Sequence, residues 1–566
     1  MRPRGGGSWI IAWAVAALVA GIALTGCAAR SFDPLPLRPE PIAYADTLLI
    51  PEPEERAERR KLRALLVHGP LQLAEPFDPG EGESLNLTHD DDVVSSAWWE
   101  RRVGYRRITP EDLALGPTSA ENAPATSGPL EIKSVKTDGV TPGFTMKDAN
   151  GHTYIVKFDP PGLMHLTSAA GVIGNRLMWG MGFHVPEDYV TEFDFSRLVV
   201  DEDATIEELG VERPLTIEDL RTLLERTEPI EGERYLAFAS LYLPGVPKGP
   251  FFFEGRRDDD PNDYFDHQHR RELRALWVFS SWINDTDMRE GNTLDVYVKP
   301  GYLRHYLIDF GATMGSSSTR SKHRKDETER PIDLYRFIGR IATLGLYKQP
   351  WEDHPVEPLG PALGFMYGEG FDPDSWKSSW TNPAFQDMTD ADSYWAAKIL
   401  AAFTDEQIRG AVGAGGFSDH RSADTLTALL RLRRDRIVEY YYERVSTVEE
   451  PIVARQHAGS LQLSFKDLGI DQHVWTPGET TYDWRFRDPA RRLGGSGSAQ
   501  PRSMPEQMLD VSWTGSGGNG GGSDQLATLE ITTRRPGFSP DPATVFLRWE
   551  GEGYRVVGIA HGDARK

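Results

Sequence analysis

The chain has one cysteine, Cys27, in 566 residues, so no disulfide can form within it. Cations are in deficit, with 62 Lys and Arg against 85 Asp and Glu. The net charge of −23 and the isoelectric point near 5.1 argue against nucleic acid or anionic lipid headgroups as the main partner. After the N-terminal segment no stretch of 18 consecutive apolar residues occurs, which excludes a later membrane-spanning helix of ordinary kind. Several signatures are also missing: G-x-S-x-G, H-E-x-x-H, C-x-x-C and the Walker A pattern. What remains is a globular composition, 39% hydrophobic with 15 Trp, on a chain long enough to require two or more substructures.

The N-terminus reads MRPRGGGSWIIAWAVAALVAGIALTGCAAR. A short basic region, Arg2 and Arg4, precedes an apolar run from Trp9 to Leu24, the layout of a secretory signal. The closing Leu24-Thr25-Gly26-Cys27 resembles the bacterial lipobox. That resemblance implies a signal peptide over 1–26, lipid such as palmitate on Cys27, and a mature protein tethered to a bacterial envelope membrane outside the cytoplasm. The Pro-, Glu- and Arg-rich residues that follow read as a spacer and partly ordered extension over 27–127, becoming ordered near 57–66.

From Leu130 the texture changes. LEIKSVKTDGVTPGFTMKDANGHTYIVKFDPP carries strand-like runs divided by turn signals, DG at 138–139, PG at 142–143 and NG at 150–151. LTSAAGVIGNRLMWGMGF then has helical spacing, as do 205–228, 267–282, 331–349, 391–415 and 421–445. Beyond about 450 the pattern is strand-like again, broken by a Gly-rich stretch at 494–523 that reads as a loop.

The stretch NDTDMREGNTLDVYVKPGYLRHYLIDFGATMG, residues 284–315, concentrates the chemistry. Asp287 and Asn292 are five apart, so one loop can supply a base at its start and an amide metal ligand at its end. Asp309 closes an apolar strand and can supply the main carboxylate for Mg²⁺, with Gly311 allowing a sharp turn after it. Metal-assisted phosphoryl transfer from ATP needs this set: hard oxygen ligands, a cation at the phosphates, and one carboxylate to orient the acceptor hydroxyl. Lys157, in TYIVKFD, alternates with Tyr154, Val156 and Phe158 and is expected to face a cleft.

TDMREGN followed by LIDFG resembles the catalytic and metal-binding loops of the protein-kinase-like superfamily, in the style of its atypical members: the HipA-type, phosphoinositide and secretory-pathway kinases. The resemblance covers about 128–450. It implies an α+β, bilobal kinase-like fold, with an N-lobe over about 128–250, a C-lobe over about 251–450 and a β-rich C-terminal region over 451–566. It further implies ATP and Mg²⁺ as cofactors, with Asp287 as catalytic base, Asn292 and Asp309 at the metal, and Lys157 on the α/β-phosphates. The hairpin with Gly139 and Gly143 would lie over the phosphates, although it lacks G-x-G-x-x-G. The acceptor is not given.

Two departures from that pattern stand out. The helix after the lysine strand has no acid to pair with Lys157; Gly171 sits where a Glu is expected, leaving Glu187 or Glu192 as substitutes. Asp285 stands two before Asp287, where His is common, as a second metal acid, a modifier of its neighbour or a loop cap. These departures keep open a catalytically impaired scaffold on the same fold, and nucleotidyl transfer is a further alternative. Arg270, Arg271 and Arg274 are read as partners of nearby acids, His267 and His269 as helix N-terminal residues, and the Trp-rich pieces as core rather than carbohydrate platforms.

Overall fold

The computed structural model describes residues 45–57, 82–135, 141–208, 211–330, 341, 343, 359–502, 504, 506–515 and 526–562. Cys27, the signal segment and Gly139 lie outside the described residues, as does nearly all of the helix expected at 331–349. The architecture is α+β.

Strands β1 (Leu130–Val135), β2 (Gly143–Lys147) and β3 (Thr153–Lys157) form an antiparallel meander. The β2–β3 turn is local chemistry. Asp148 Oδ1 accepts the Asn150 and His152 amides, and Gly151 takes φ +90°. β4 (Asp188–Asp194), β5 (Leu198–Val200), β8 (Pro229–Glu231) and β9 (Arg234–Leu241) complete a seven-stranded sheet, ordered β4-β9-β3-β2-β1-β5 with β8 on β9. The segment 205–228, expected to be helical, instead pairs β6 (Thr205–Glu208) with β7 (Val211–Pro214) before a short helix, Ile217–Leu224, capped by Thr216. The Pro and β-branched residues at 205–214 favour the hairpin over a helical turn.

One face of the sheet buries Ile132, Phe144, Met146, Tyr154, Val156 and Phe158. The opposite face, with Lys157 and Phe238, receives helix α1 (Leu166–Gly180). Asp159 caps α1 from outside it: Oδ1 accepts the Thr167 and Ser168 amides at 2.7 and 2.9 Å, and Oδ2 accepts the His165 amide at 2.9 Å. Two glycines let α1 pass through a narrow space. A Cβ on Gly171 would lie 2.8 Å from the Phe238 ring, and one on Gly174 would lie 3.0 Å from Phe310 Cβ. Gly171→Ala is therefore expected to destabilise by about 1–3 kcal/mol through overpacking. An unchanged melting temperature would show that Phe238 yields freely.

Helix α2 (Arg271–Ile283) runs through the main core, with Leu273, Leu276, Phe279, Trp282 and Ile283 buried. It packs on α3 (Asp390–Ala401) and α5 (His420–Tyr442), with α4 (Asp405–Gly413) beside α5. The three arginines before and within α2 do pair with acids: Arg270 with Asp263, Arg271 with Asp91 and Asp392, and Arg274 with Asp392. Described parts of the N-terminal extension lie against this core. Trp98 stacks on His305 at 3.5 Å, and Trp99 Nε1 donates to Met181 O at 2.7 Å.

The C-terminal region is two facing antiparallel sheets with one shared core. One holds β13 (Val448–His457), β14 (Ser460–Asp467) and β17 (Glu506–Ser512). The other is ordered β18-β16-β15-β19-β20-β21, with β15 at Thr481–Asp488, β16 at Leu493–Ala499, β18 at Thr514–Gly515, β19 at Ala527–Arg534, β20 at Ala543–Trp549 and β21 at Tyr554–His561. The Gly-rich stretch expected to be a loop from 494 is in fact β16 along 494–499. Its glycines make room for neighbours: a Cβ on Gly497 would lie 2.8 Å from the Trp484 indole.

Candidate active site

Strand β10 (Val246–Pro247) pairs with β11 (Thr293–Val298), and β11 and β12 (Tyr302–Leu307) pair in strict register, from Thr293 opposite Leu307 to Val298 opposite Tyr302. That register brings the residues just outside the hairpin together, and Ile308 N donates to Asn292 O at 2.9 Å. The loop holding Asp287 and Asn292 therefore lies beside Asp309, although 17 to 22 positions separate them in sequence. Asp309 takes a left-handed backbone, φ +63° and ψ +65°, and leads into a tight turn over Phe310–Ala312. A non-glycine residue held there is strained and must be fixed by its surroundings. Phe310 is buried against α1, and Thr313 Oγ1 donates to Ala170 O at 2.9 Å.

Lys157 Nζ donates to Asp309 Oδ1 at 2.6 Å, across 152 positions of sequence. The lysine side chain is 12% exposed and the aspartate 36%, so the pair is partly accessible from solvent. Gly143 lies directly across the strand pair: a Cβ there would come 2.3 Å from Val156 O, so only glycine fits. Asn292 Nδ2 donates to Asp287 O at 2.8 Å and to Asp287 Oδ2 at 3.1 Å, so the amide oxygen is the atom that could ligate a metal. Asp287 Oδ1 accepts from Trp380 Nε1 at 2.7 Å and faces Arg289 Nε at 3.4 Å.

Asp285 is a loop cap. It is buried, and its Oδ1 accepts the Asp287 amide at 3.2 Å. Burial, with the Asp287 charge adding to it, pushes the Asp285 carboxyl up to about 7 against the opposing pull of Lys322. Lys322 is a structural cation that no motif announced. Its buried Nζ donates to Asn284 O, to Ala312 O at 2.7 Å and to Met314 O at 3.1 Å, tying the Asp287 loop to the segment after Asp309. Burial pushes this ammonium down to about 8. Asn284, left-handed at the end of α2, adds a second tie through Nδ2 to Met314 O at 2.8 Å.

Neither expected substitute acid reaches Lys157. Glu187 accepts from Asn122 and Tyr189, and Glu192 pairs with Arg234. The Gly171 position cannot host an acid, because the Phe238 ring fills it. The acid that shares the field of Lys157 and Asp309 is Asp188, at the start of β4. It is fully buried, and its Oδ2 accepts from Asn175 Nδ2 at 2.9 Å. Burial pushes its carboxyl up to about 7; Lys157 pulls it down and Asp309 pushes it up. A folded pKa above the unfolded 3.8 means stability that is full below pH 3.8 and is lost as pH rises through 7. Asp188→Asn is therefore expected to flatten the decline in stability between pH 4 and 8 by roughly 2–4 kcal/mol. Parallel stability–pH curves for the two proteins would contradict this.

Among the described residues, no three His, Cys, Asp or Glu side chains cluster in the manner of a metal cage. The donor set at Asp309 and Asn292 is one carboxylate and one amide oxygen. That suits Mg²⁺, which keeps waters and takes substrate phosphate oxygens to complete its octahedron.

No family model matches the chain, and no curated protein sequence matches it. Among solved structures it is similar to the Helicobacter pylori proinflammatory kinase CtkA, at 11% identity and TM-score 0.28, covering 55% of this chain and 96% of that one. It is also similar to the Golgi casein kinase, at 10% identity and TM-score 0.28, covering 72% and 96%. A structure of the Golgi casein kinase with Mn/ADP bound gives 12% identity and TM-score 0.23, covering 49% and 74%. At scores this low, the chemistry must stand on the side chains described above.

Proposed function

We propose that the chain is an atypical kinase: a phosphotransferase that moves the γ-phosphoryl group of ATP to a hydroxyl. The observation that carries this is the meeting of Lys157 and Asp309 at 2.6 Å, beside a loop in which Asn292 holds Asp287. Lys157 would hold the α/β-phosphates, with Gly143 on the adjoining strand. Asp309 and Asn292 would hold Mg²⁺, which when bound offsets negative charge on the phosphate oxygens. Asp287, oriented by Trp380 and Asn292, accepts the proton of the acceptor hydroxyl. The hydroxyl oxygen bonds to the γ-phosphorus as the bond to the β-bridging oxygen breaks, giving a phosphate monoester and ADP. Positioning and electrostatics do the work, since the protein forms no covalent bond. ATP labelled at the γ-phosphate should transfer label to an acceptor, and ATP labelled at the α-phosphate should not. The reverse result would assign nucleotidyl transfer.

A second reading, a kinase-like scaffold without turnover, is favoured by one observation: Phe238 occupies the space where a helix acid would meet Lys157. ATP binding without transfer of either label to any acceptor would establish it.

We further propose that lipid on Cys27 tethers the protein to a bacterial envelope membrane. Among the described residues, no helix is long and apolar enough to cross a membrane. Cys27→Ser should abolish incorporation of labelled palmitate and release the protein from the membrane fraction; retention there would sink the lipid anchor.

A further inference from the structure

A cavity of about 240 Å³ lies beside the Asp287 loop, lined in part by Trp277, Trp376, Trp380, Asn382, Phe385 and Gln386. We propose that it is an acceptor subsite and that it takes one sugar ring of a glycan, a neighbouring hydroxyl of which, reaching Asp287 past Trp380, receives the phosphoryl group. This rests on the phosphotransferase function proposed above.

The cavity is built onto the catalytic loop. Trp380 lines it and donates to Asp287 Oδ1 at 2.7 Å, so one indole separates the cavity from the base. Trp376 Nε1 donates to Asn284 Oδ1 at 3.1 Å, and Ser379 N donates to Thr286 O at 2.8 Å. Residues 376–380 thus run alongside 284–287, and the position of the cavity is fixed relative to Asp287. Its far wall is equally rigid: Trp277 meets Trp376 edge-on at 5.1 Å and Phe385 edge-on at 5.7 Å.

The lining selects the class of ligand. Trp277 and Trp380 are half-buried indoles, which call for a flat apolar surface. Asn382 is 3% exposed; its Oδ1 accepts the Ala384 amide at 3.0 Å, whereas its Nδ2 has no partner among the described residues. A buried donor left in that state is costly, so the ligand should bring an acceptor. The charged part of the lining is Lys377 and Arg330 against Asp374, while Asp287 behind Trp380 faces Arg289 at 3.4 Å. The wall is mildly cationic, and its ligand is selected by the aromatic faces and the Asn382 amide. A sugar ring supplies a C–H face for the indoles and hydroxyls that both donate and accept. A serine or threonine side chain supplies the hydroxyl but leaves the aromatic walls bare. The volume, below that of sites for drug-sized ligands, suits one ring of a longer glycan.

The test uses an array of immobilised oligosaccharides, read with the Asp309→Ala protein so that no turnover occurs, alongside Asp309→Ala/Trp277→Ala and Asp309→Ala/Gln386→Ala. Saturable binding to particular glycans, weakened about ten-fold or more by either cavity change, is expected. The glycans that bind should then accept γ-label from ATP with wild-type protein, and Trp277→Ala should raise KM for glycan while leaving KM for ATP unchanged. Circular dichroism spectra matching the wild type exclude misfolding, and Gln386→Ala serves if Trp277→Ala does not fold. No glycan binding, or label passing to Ser/Thr peptides with KM unaffected by Trp277→Ala, would overturn the sugar assignment and leave the kinase function standing. Glycan binding in a protein that does not bind ATP would sink the kinase function and, with it, the acceptor role.

Discussion

Asp287→Asn should lower phosphoryl transfer by about 10²–10⁴-fold, the range for loss of a positioned general base. The substitution keeps an oxygen that can accept from Trp380 Nε1, so the loop geometry survives. It removes the negative oxygen that would take the hydroxyl proton. Because Asp287 is proposed to act at the acceptor and not at the phosphates, ATP binding should change little. The loss should therefore appear in kcat with KM for ATP nearly constant. A fall in ATP affinity as large as the fall in kcat would instead place Asp287 at the nucleotide.

Asp91→Ala should destabilise the protein by about 3–5 kcal/mol, the cost of breaking a buried ion pair from one side. Asp91 lies outside every motif but holds two units together. It is 2% exposed, sits at φ +57°, pairs with Arg271 of α2 at 2.9 Å, and accepts from both the amide and Nδ1 of His561 on β21 at 3.0 and 2.9 Å. A second junction, Lys398 with Glu449 at 2.7 Å, backs it up. The change strips Arg271 of one carboxylate, leaving Asp392, and strips His561 of its nearer acid, leaving Glu449 at 3.6 Å. The C-terminal sheets should then become more susceptible to proteolysis near residue 448. As a contrast, Arg409→Ala breaks a pair in which both side chains are more than 60% exposed, and should cost less than about 1 kcal/mol. Equal melting temperatures for Asp91→Ala and Arg409→Ala would contradict the junction.

Local chemistry made much of the first sheet legible. The NG turn and the alternation through Tyr154, Val156 and Phe158 are readable from periodicity and turn residues, and the acids at 287 and 309 from the resemblance of TDMREGN and LIDFG to kinase-like loops. The reach of Lys157 to Asp309 is a tertiary fact, set by the β11–β12 register and by two glycines that let α1 pass. Lys322 and Asp188 carried no signal, since a lysine among loop residues and an acid beginning a strand look ordinary in sequence, and Trp380 read as core, with no sign of its bond to Asp287. Their importance comes from burial and from partners between 8 and 121 positions away, which spacing cannot show. The Gly-rich β16 was misread for a related reason. Glycine lowers strand propensity, and only the Trp484 indole lying over Gly497 explains why a side chain is excluded there.

The most direct test of the central claim is thermal unfolding of residues 28–566 with and without Mg²⁺ and ATP, for wild type and Asp309→Ala. ATP at about 100 times its dissociation constant should stabilise the native state by about 2.7 kcal/mol. That shift should require the metal and vanish in Asp309→Ala, with circular dichroism checking that the variant is folded. A folded wild-type protein showing no shift, or a shift that Asp309→Ala retains in full, would contradict a nucleotide site at Lys157 and Asp309.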